Sequence, residues 1–367
     1  MKKIVFILIV FLCLIPITAF AQNEISSPDL SAADNALLQE DYSYLMPSEI
    51  LKSILKNEFS ISGETLFNSL INALFKAFKT FLPEILSIFA VSVVISVISK
   101  LEIINEKFSS MALLGGRIII CVNLLTSFIK ISKTIKNSIT VVVEFFQKIL
   151  PAMCTVFAFS GAQNGAASLQ GSASILTFLL LKIVCGAIIT FIISSTVILS
   201  INSLLPDNKL KGIGNLLSST SSWLLSGTFT LFCGFSAITG ITAAVSDNMR
   251  LRSLKYAVGA SLPVIGGSVS ESLNFVIAGA RCLKSALGIT GVIVIFVLML
   301  SPILNLLAIM LLLKFFAAIC SAWTDRAIVE IIEIFAGGYK MLLITLVGVC
   351  AVFFLFLGVF SCAGGAV

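Results

Sequence analysis

Histidine is missing altogether from these 367 residues. Its absence removes Ser–His and Cys–His nucleophilic pairs, His-based zinc sites and the commonest general base. Charge is scarce as well: 11% of the residues are Asp, Glu, Lys or Arg, against roughly 25% in an ordinary globular domain. The formal net charge of +6 comes from basic residues scattered in ones to threes between apolar runs. That is the pattern of inter-helix loops beside anionic lipid, and it argues against nucleic-acid binding. The nine cysteines are irregularly spaced without a C-x-x-C pair, so neither a disulfide framework nor a cysteine metal cluster is expected. In apolar segments such cysteines behave as small hydrophobes. No Walker A sequence is present, which closes that route to nucleotide hydrolysis. Gly212-Ile213-Gly214 is an isolated glycine pair that opens no βαβ unit. No catalytic residue, cofactor site or metal site emerges, and the chain is expected not to be an enzyme.

What remains is hydrocarbon. Hydrophobic residues make up 58% of the chain, and they gather into runs long enough to cross a bilayer core of about 30 Å, which takes roughly 20 residues of helix. The expected fold is all-α, a polytopic integral membrane protein with about seven transmembrane helices and two segments that either re-enter or break. The spans read as 81–98, 111–129, 174–204, 223–245, 287–301, 304–322 and 341–360. The fifth and sixth require a hairpin at Ser301-Pro302, the alternative being one long kinked helix. Residues 325–340 read as an interfacial stretch that Gly337-Gly338 ends before the last span.

Three domains follow. Residues 1–21 form a signal peptide: Lys2 and Lys3 precede an apolar core and Ala19-Phe20-Ala21 supplies an A-x-A cleavage site. The alternative is an uncleaved anchor helix. The mature chain is expected to begin at Gln22; N-terminal sequencing checks this, and Met1 as first residue would establish the anchor. Residues 22–80 form an acidic extracytosolic segment, with eight acids against four lysines. It ends in an amphipathic helix at 66–82, where Phe67, Leu70, Leu74, Phe78 and Phe81 recur at helical spacing. Residues 81–367 are the multi-span membrane domain. The loop charges do not choose an orientation for it.

Two Leu-Pro segments stand out, Leu150-Pro151 and Leu262-Pro263, each preceded by a basic loop and followed by a Gly/Ser-rich stretch and a long span. Paired Pro/Gly-interrupted segments in corresponding positions point to a substrate or gating region if they reflect an internal duplication. Chance resemblance of a common dipeptide is the other reading. Pro263 must break or kink a helix, Gly266 and Gly267 permit close approach, and Glu271 follows in an apolar setting. Five charges fall in or beside apolar segments: Glu84, Arg117, Lys182, Glu271 and Lys314. Each costs about 2.5–3.5 kcal/mol at a helix centre, so each should face protein or water. Glu84 and Arg117, near span ends, are expected to snorkel. The candidate gate or intramembrane polar residues are Pro151, Lys182, Pro263, Gly266, Gly267, Glu271 and Lys314, and the charged ones either fix helix packing or line a path.

The stretch 242–259 (TAAVSDNMRLRSLKYAVG), followed by Leu262-Pro263-Val264-Ile265-Gly266-Gly267 and by 283–291 (LKSALGITG), resembles the stage III sporulation protein AE family. The likeness continues through Pro302 and Lys314-Phe315-Phe316-Ala317-Ala318 and covers most of residues 80–360. It implies a multi-pass protein in the mother-cell membrane facing the forespore. It also implies partners: the other stage III sporulation A-operon proteins, including ring-forming proteins and a secretion-type ATPase, and stage II sporulation protein Q of the forespore. The implied function is a permease- or gate-like component of the mother cell–forespore channel complex. A self-contained secondary transporter and a structural membrane scaffold remain alternatives. The resemblance carries no binding residue with it.

Overall fold

In residues 120–157 the apolar side chains fall at intervals of three, four and seven: Ile120, Leu124, Phe128, Ile135, Ile139, Phe146, Leu150, Met153 and Phe157. That spacing gives one helix with a continuous apolar stripe. In the computed structural model, which describes residues 63–100, 106–159, 163–205, 209–235, 266–322 and 324–362, every one of these side chains is buried.

The described residues are helical almost throughout. Helix α1 is Gly63–Lys100 and α2 is Glu106–Phe159. Helix α3, Gln163–Leu181, passes through a π-helical segment, Lys182–Ile188, into α4, Ile189–Asn202. Helix α5 is 211–235, α6 is Gly266–Cys320 and α7 is Arg326–Cys362. Among the described residues, five stretches are long and apolar enough to cross a membrane: Ile71–Ile98, Met111–Phe159, Gln170–Asn202, Ser285–Cys320 and Arg326–Gly358. The expected signal peptide and most of the expected acidic segment lie outside the described residues.

Side-chain contacts set the helices in register. Helices α2 and α7 run parallel: Phe128 meets Phe335 and Tyr339, Phe146 meets Phe353 and Phe356, and Phe157 meets Phe360. Ring centroids in this ladder lie 5.0–5.8 Å apart, within the range where aromatic pairs add to simple burial. Helices α6 and α7 form an antiparallel hairpin, with Gly291 against Leu357. Helix α1 runs antiparallel to α2 (Ile95 against Gly116) and alongside α6, with the Phe89 and Phe316 rings 5.1 Å apart. Helix α4 turns back on α5, where the Ser195 hydroxyl donates to the Gly214 carbonyl at 2.9 Å. Helix α5 in turn lies along α7, with Ser222 beside Met341 and Phe229 against Gly348.

Four expectations change. Residues 66–82 and the first span are one helix, α1, continuous through Pro83. No hairpin forms at Ser301-Pro302, because α6 runs through Pro302. The ring of Pro302 is buried in the bundle, where neighbouring helices support the turn that its missing N–H weakens. Gly337-Gly338 ends nothing either: α7 is unbroken from Arg326 to Cys362. A Cβ on Gly338 would lie 2.6 Å from the Thr196 hydroxyl and 2.9 Å from the Phe128 ring. The glycine is there so that α2, α4 and α7 can meet. The expected span at 223–245 is represented by α5, which is not among the five apolar stretches; residues 236–245 lie outside the described residues.

Candidate functional site

Helix α2 contains 54 residues and is therefore about 80 Å long at 1.5 Å per residue, far beyond the ~30 Å bilayer core. The aromatic ladder places residues 140–159 of α2 beside 348–362 of α7, and the Gly291–Leu357 contact places 285–301 of α6 at the same height. Neither neighbouring stretch carries a charge, and neither does α3. This is the part of the bundle best suited to hydrocarbon.

Across that height α2 itself is two-faced. Its inner face is the apolar stripe already described. Its outer face carries Glu144, Gln147, Pro151 and Thr155, with Asn137 two turns before Glu144, all exposed on the chain surface. These positions succeed one another at helical spacing and so share one side of the helix. Pro151 adds to their polarity, because it has no N–H and leaves the Gln147 carbonyl without its usual partner one turn on. The Thr155 hydroxyl donates back to the Pro151 carbonyl at 2.9 Å. The outer face of α2 is therefore a polar strip at a height where its neighbours are uncharged.

The other expected site residues do not converge on this strip. Lys182 begins the π-helical segment, exposed, with its ammonium 5.6 Å from the Phe178 ring centroid, a cation–π contact. A π-helical turn inserts an extra residue and re-aims the side chains around it. Lys314 is exposed on α6 near its contact with α1. Gly266, Gly267 and Glu271 belong to the first turns of α6, but their side chains, like Pro263, lie outside the described residues. Pro151 lies inside α2, so its Leu-Pro segment is plain helix rather than a re-entrant turn.

Arg117 does not snorkel alone. Its guanidinium forms an ion pair with Asp325 at the start of α7, and its Nε donates to the carboxylate at 2.9 Å. Both partners keep about a quarter to a third of their side-chain surface, so the pair orients the α2–α7 contact more than it stabilises it. Tyr339 is fully buried, and its hydroxyl meets no hydrogen-bond partner among the described residues. Ser127 and Glu84 are its polar neighbours. No group of three metal-ligating side chains gathers among the described residues.

Sequence reasoning missed Asp325, Glu144 and Gln147. Asp325 could not be paired with Arg117 across 208 positions without the fold. The strip was recoverable, since Asn137, Glu144, Gln147 and Thr155 recur at helical spacing opposite an apolar stripe.

A sequence model described as Stage III sporulation protein AE matches residues 45–364. Among characterised proteins, Stage III sporulation protein AE of Bacillus subtilis (strain 168) is 24% identical over 231 residues. That alignment takes in 62% of this chain and 57% of the relative, a little over half of its length. No solved structure matches. With the family pattern covering nearly the whole helical bundle, the chain belongs to the stage III sporulation protein AE family.

Proposed function

We propose that this chain is a non-enzymatic membrane subunit of the mother cell–forespore channel complex, and that α2 offers its polar outer face to a path closed by other proteins. The carrying observation is the strip Asn137, Glu144, Gln147, Pro151 and Thr155, turned outward beside uncharged stretches of α6 and α7. Against lipid, Glu144 alone would cost about 2.5–3.5 kcal/mol near the bilayer centre. The strip therefore belongs against water or protein, and the described residues of a single chain leave it uncovered. A path open on one side favours a subunit over a self-contained transporter.

The partners under this reading are the ring-forming proteins and secretion-type ATPase of the same operon, together with stage II sporulation protein Q. The setting is the mother-cell membrane facing the forespore. The absence of histidine and of a nucleotide-binding loop makes the ATPase partner the source of any energy. Purified protein in liposomes is expected to move no solute by itself, measured as uptake of labelled ions and small metabolites. Saturable uptake by the chain alone would establish the secondary-transporter reading instead.

A further inference from the structure

At the foot of the uncharged zone the surface changes character. Tyr339 packs on Phe128, which brings Lys340 level with Lys130. Lys136 is an electrostatic neighbour of Cys185 and Thr196 lies against Gly338 and Phe128, so the helix from Lys182 into α4 runs antiparallel to α2 and Lys182 stands about one turn above Lys136. The antiparallel α1–α2 contact at Ile95 and Gly116 sets Lys79 and Lys76 at the same height, counting equal rise along both helices. The stretches concerned, 72–79, 130–139, 182–188 and 340–347, hold these lysines and no acid. All are exposed except Lys136, which is half-buried.

A second feature marks this height independently. Ser222 contacts Met341 at 3.9 Å, so Trp223, the next residue, stands level with Lys340. Trp223 is 74% exposed. Tryptophan with its ring turned outward is the usual anchor at the membrane–water boundary, and lysines at that boundary meet the phosphates of anionic lipids. Above this level α6 and α7 carry no charge for about 20 residues, a bilayer core's thickness. Below it the helices carry Arg117, Lys314, Asp325, Arg326, Glu330 and Glu333.

We infer that Lys76, Lys79, Lys133, Lys182 and Lys340, with Trp223, form a belt that binds the headgroups of anionic phospholipids. The belt fixes the depth of the bundle, with the hydrocarbon on the side of Glu144 and Gln147. It reaches beyond the channel proposal, because it holds whether or not the polar strip conducts.

The test uses the full chain. The protein contains two tryptophans, so Trp323→Phe leaves Trp223 as the sole reporter. It is reconstituted in phosphatidylcholine–phosphatidylglycerol vesicles with acyl chains brominated either near the carbonyl or near the methyl end. The expected result is stronger quenching by the shallow bromine. Stronger quenching by the deep bromine, or none by either, would overturn the placement. In parallel, retention of phosphatidylglycerol is measured by native mass spectrometry for Lys133→Gln/Lys182→Gln/Lys340→Gln and for the matching triple arginine variant. Retention should fall at least about tenfold in the glutamine variant, since each lysine near the surface adds to the attraction, and should persist with arginine. Equal loss in both variants, no loss in either, or binding of an acidic protein without phospholipid preference would overturn the headgroup assignment.

Discussion

Gly338→Ala is expected to empty the membrane of this protein, while Gly337→Ala leaves it at full level. The two glycines are neighbours on α7, yet their surroundings differ completely. A methyl group at 337 would meet nothing within 4 Å, whereas at 338 it would press on the Thr196 hydroxyl and the Phe128 ring. Thr196 and Phe128 are both buried, and Phe128 is held between Phe335 and Tyr339. The clash has no flexible side chain to absorb it. Overpacking of this kind costs about 1–3 kcal/mol, a large share of the stability of a typical domain. At Gly337, alanine should be neutral or stabilising by up to about 1 kcal/mol, because it removes backbone freedom from the unfolded chain. Quantitative blotting of membrane fractions, with thermal aggregation in mild detergent, reads both variants. Equal abundance of the two would show that α2, α4 and α7 do not meet as described.

Glu144→Leu combined with Gln147→Leu is expected to do the opposite: full abundance and failed spore development. Both side chains are exposed on the chain surface, so leucine there disturbs no internal packing, and beside lipid it would be better tolerated than the native pair. If the strip lines an aqueous path, removing its charge and amide should lower heat-resistant spore counts by at least about tenfold, as expected for a functional intramembrane carboxylate. Glu144→Gln separates charge from polarity, since it keeps the shape and the hydrogen-bonding capacity. Normal sporulation of the double variant would favour a scaffold, whose role rests on packing alone.

Much of the architecture was legible because hydropathy over 20 residues reports a helix in lipid more directly than it reports anything else. Residues 81–98, 111–129, 174–204 and 341–360 all fall in or overlap apolar helices of the fold. Where helices end was less legible. Pro302 and Gly337-Gly338 carry the residue types that stop helices in water, and both sit inside unbroken helices here. In a packed bundle, helix ends are decided by what surrounds a turn as well as by the turn's own propensity. Pro302 is enclosed by its neighbours, and Gly338 is selected for its lack of a side chain.

The candidate site was legible only in part. Pro151 was singled out from its backbone chemistry and lies on the polar strip, but Glu144 and Gln147 beside it were overlooked. Within 130–148, Lys130, Lys133 and Lys136 read as a basic loop before the Leu-Pro segment. Read for periodicity, the same stretch is a helix with its lysines and amides on one side and Ile135, Ile139, Phe145 and Phe146 on the other. Arg117–Asp325 and the level shared by Trp223 and Lys340 depend on three-dimensional register, which no local pattern encodes.

The central claim is that the polar strip of α2 is closed by another protein. It is tested by replacing Gln147 with a photo-crosslinking residue and irradiating sporulating cells at the stage when the forespore is engulfed. The account predicts a defined protein adduct at Gln147 and a much weaker one at Ile175, an exposed apolar position on α3 that should face lipid. An adduct with phospholipid alone at Gln147, or equal protein adducts at both positions, would contradict it.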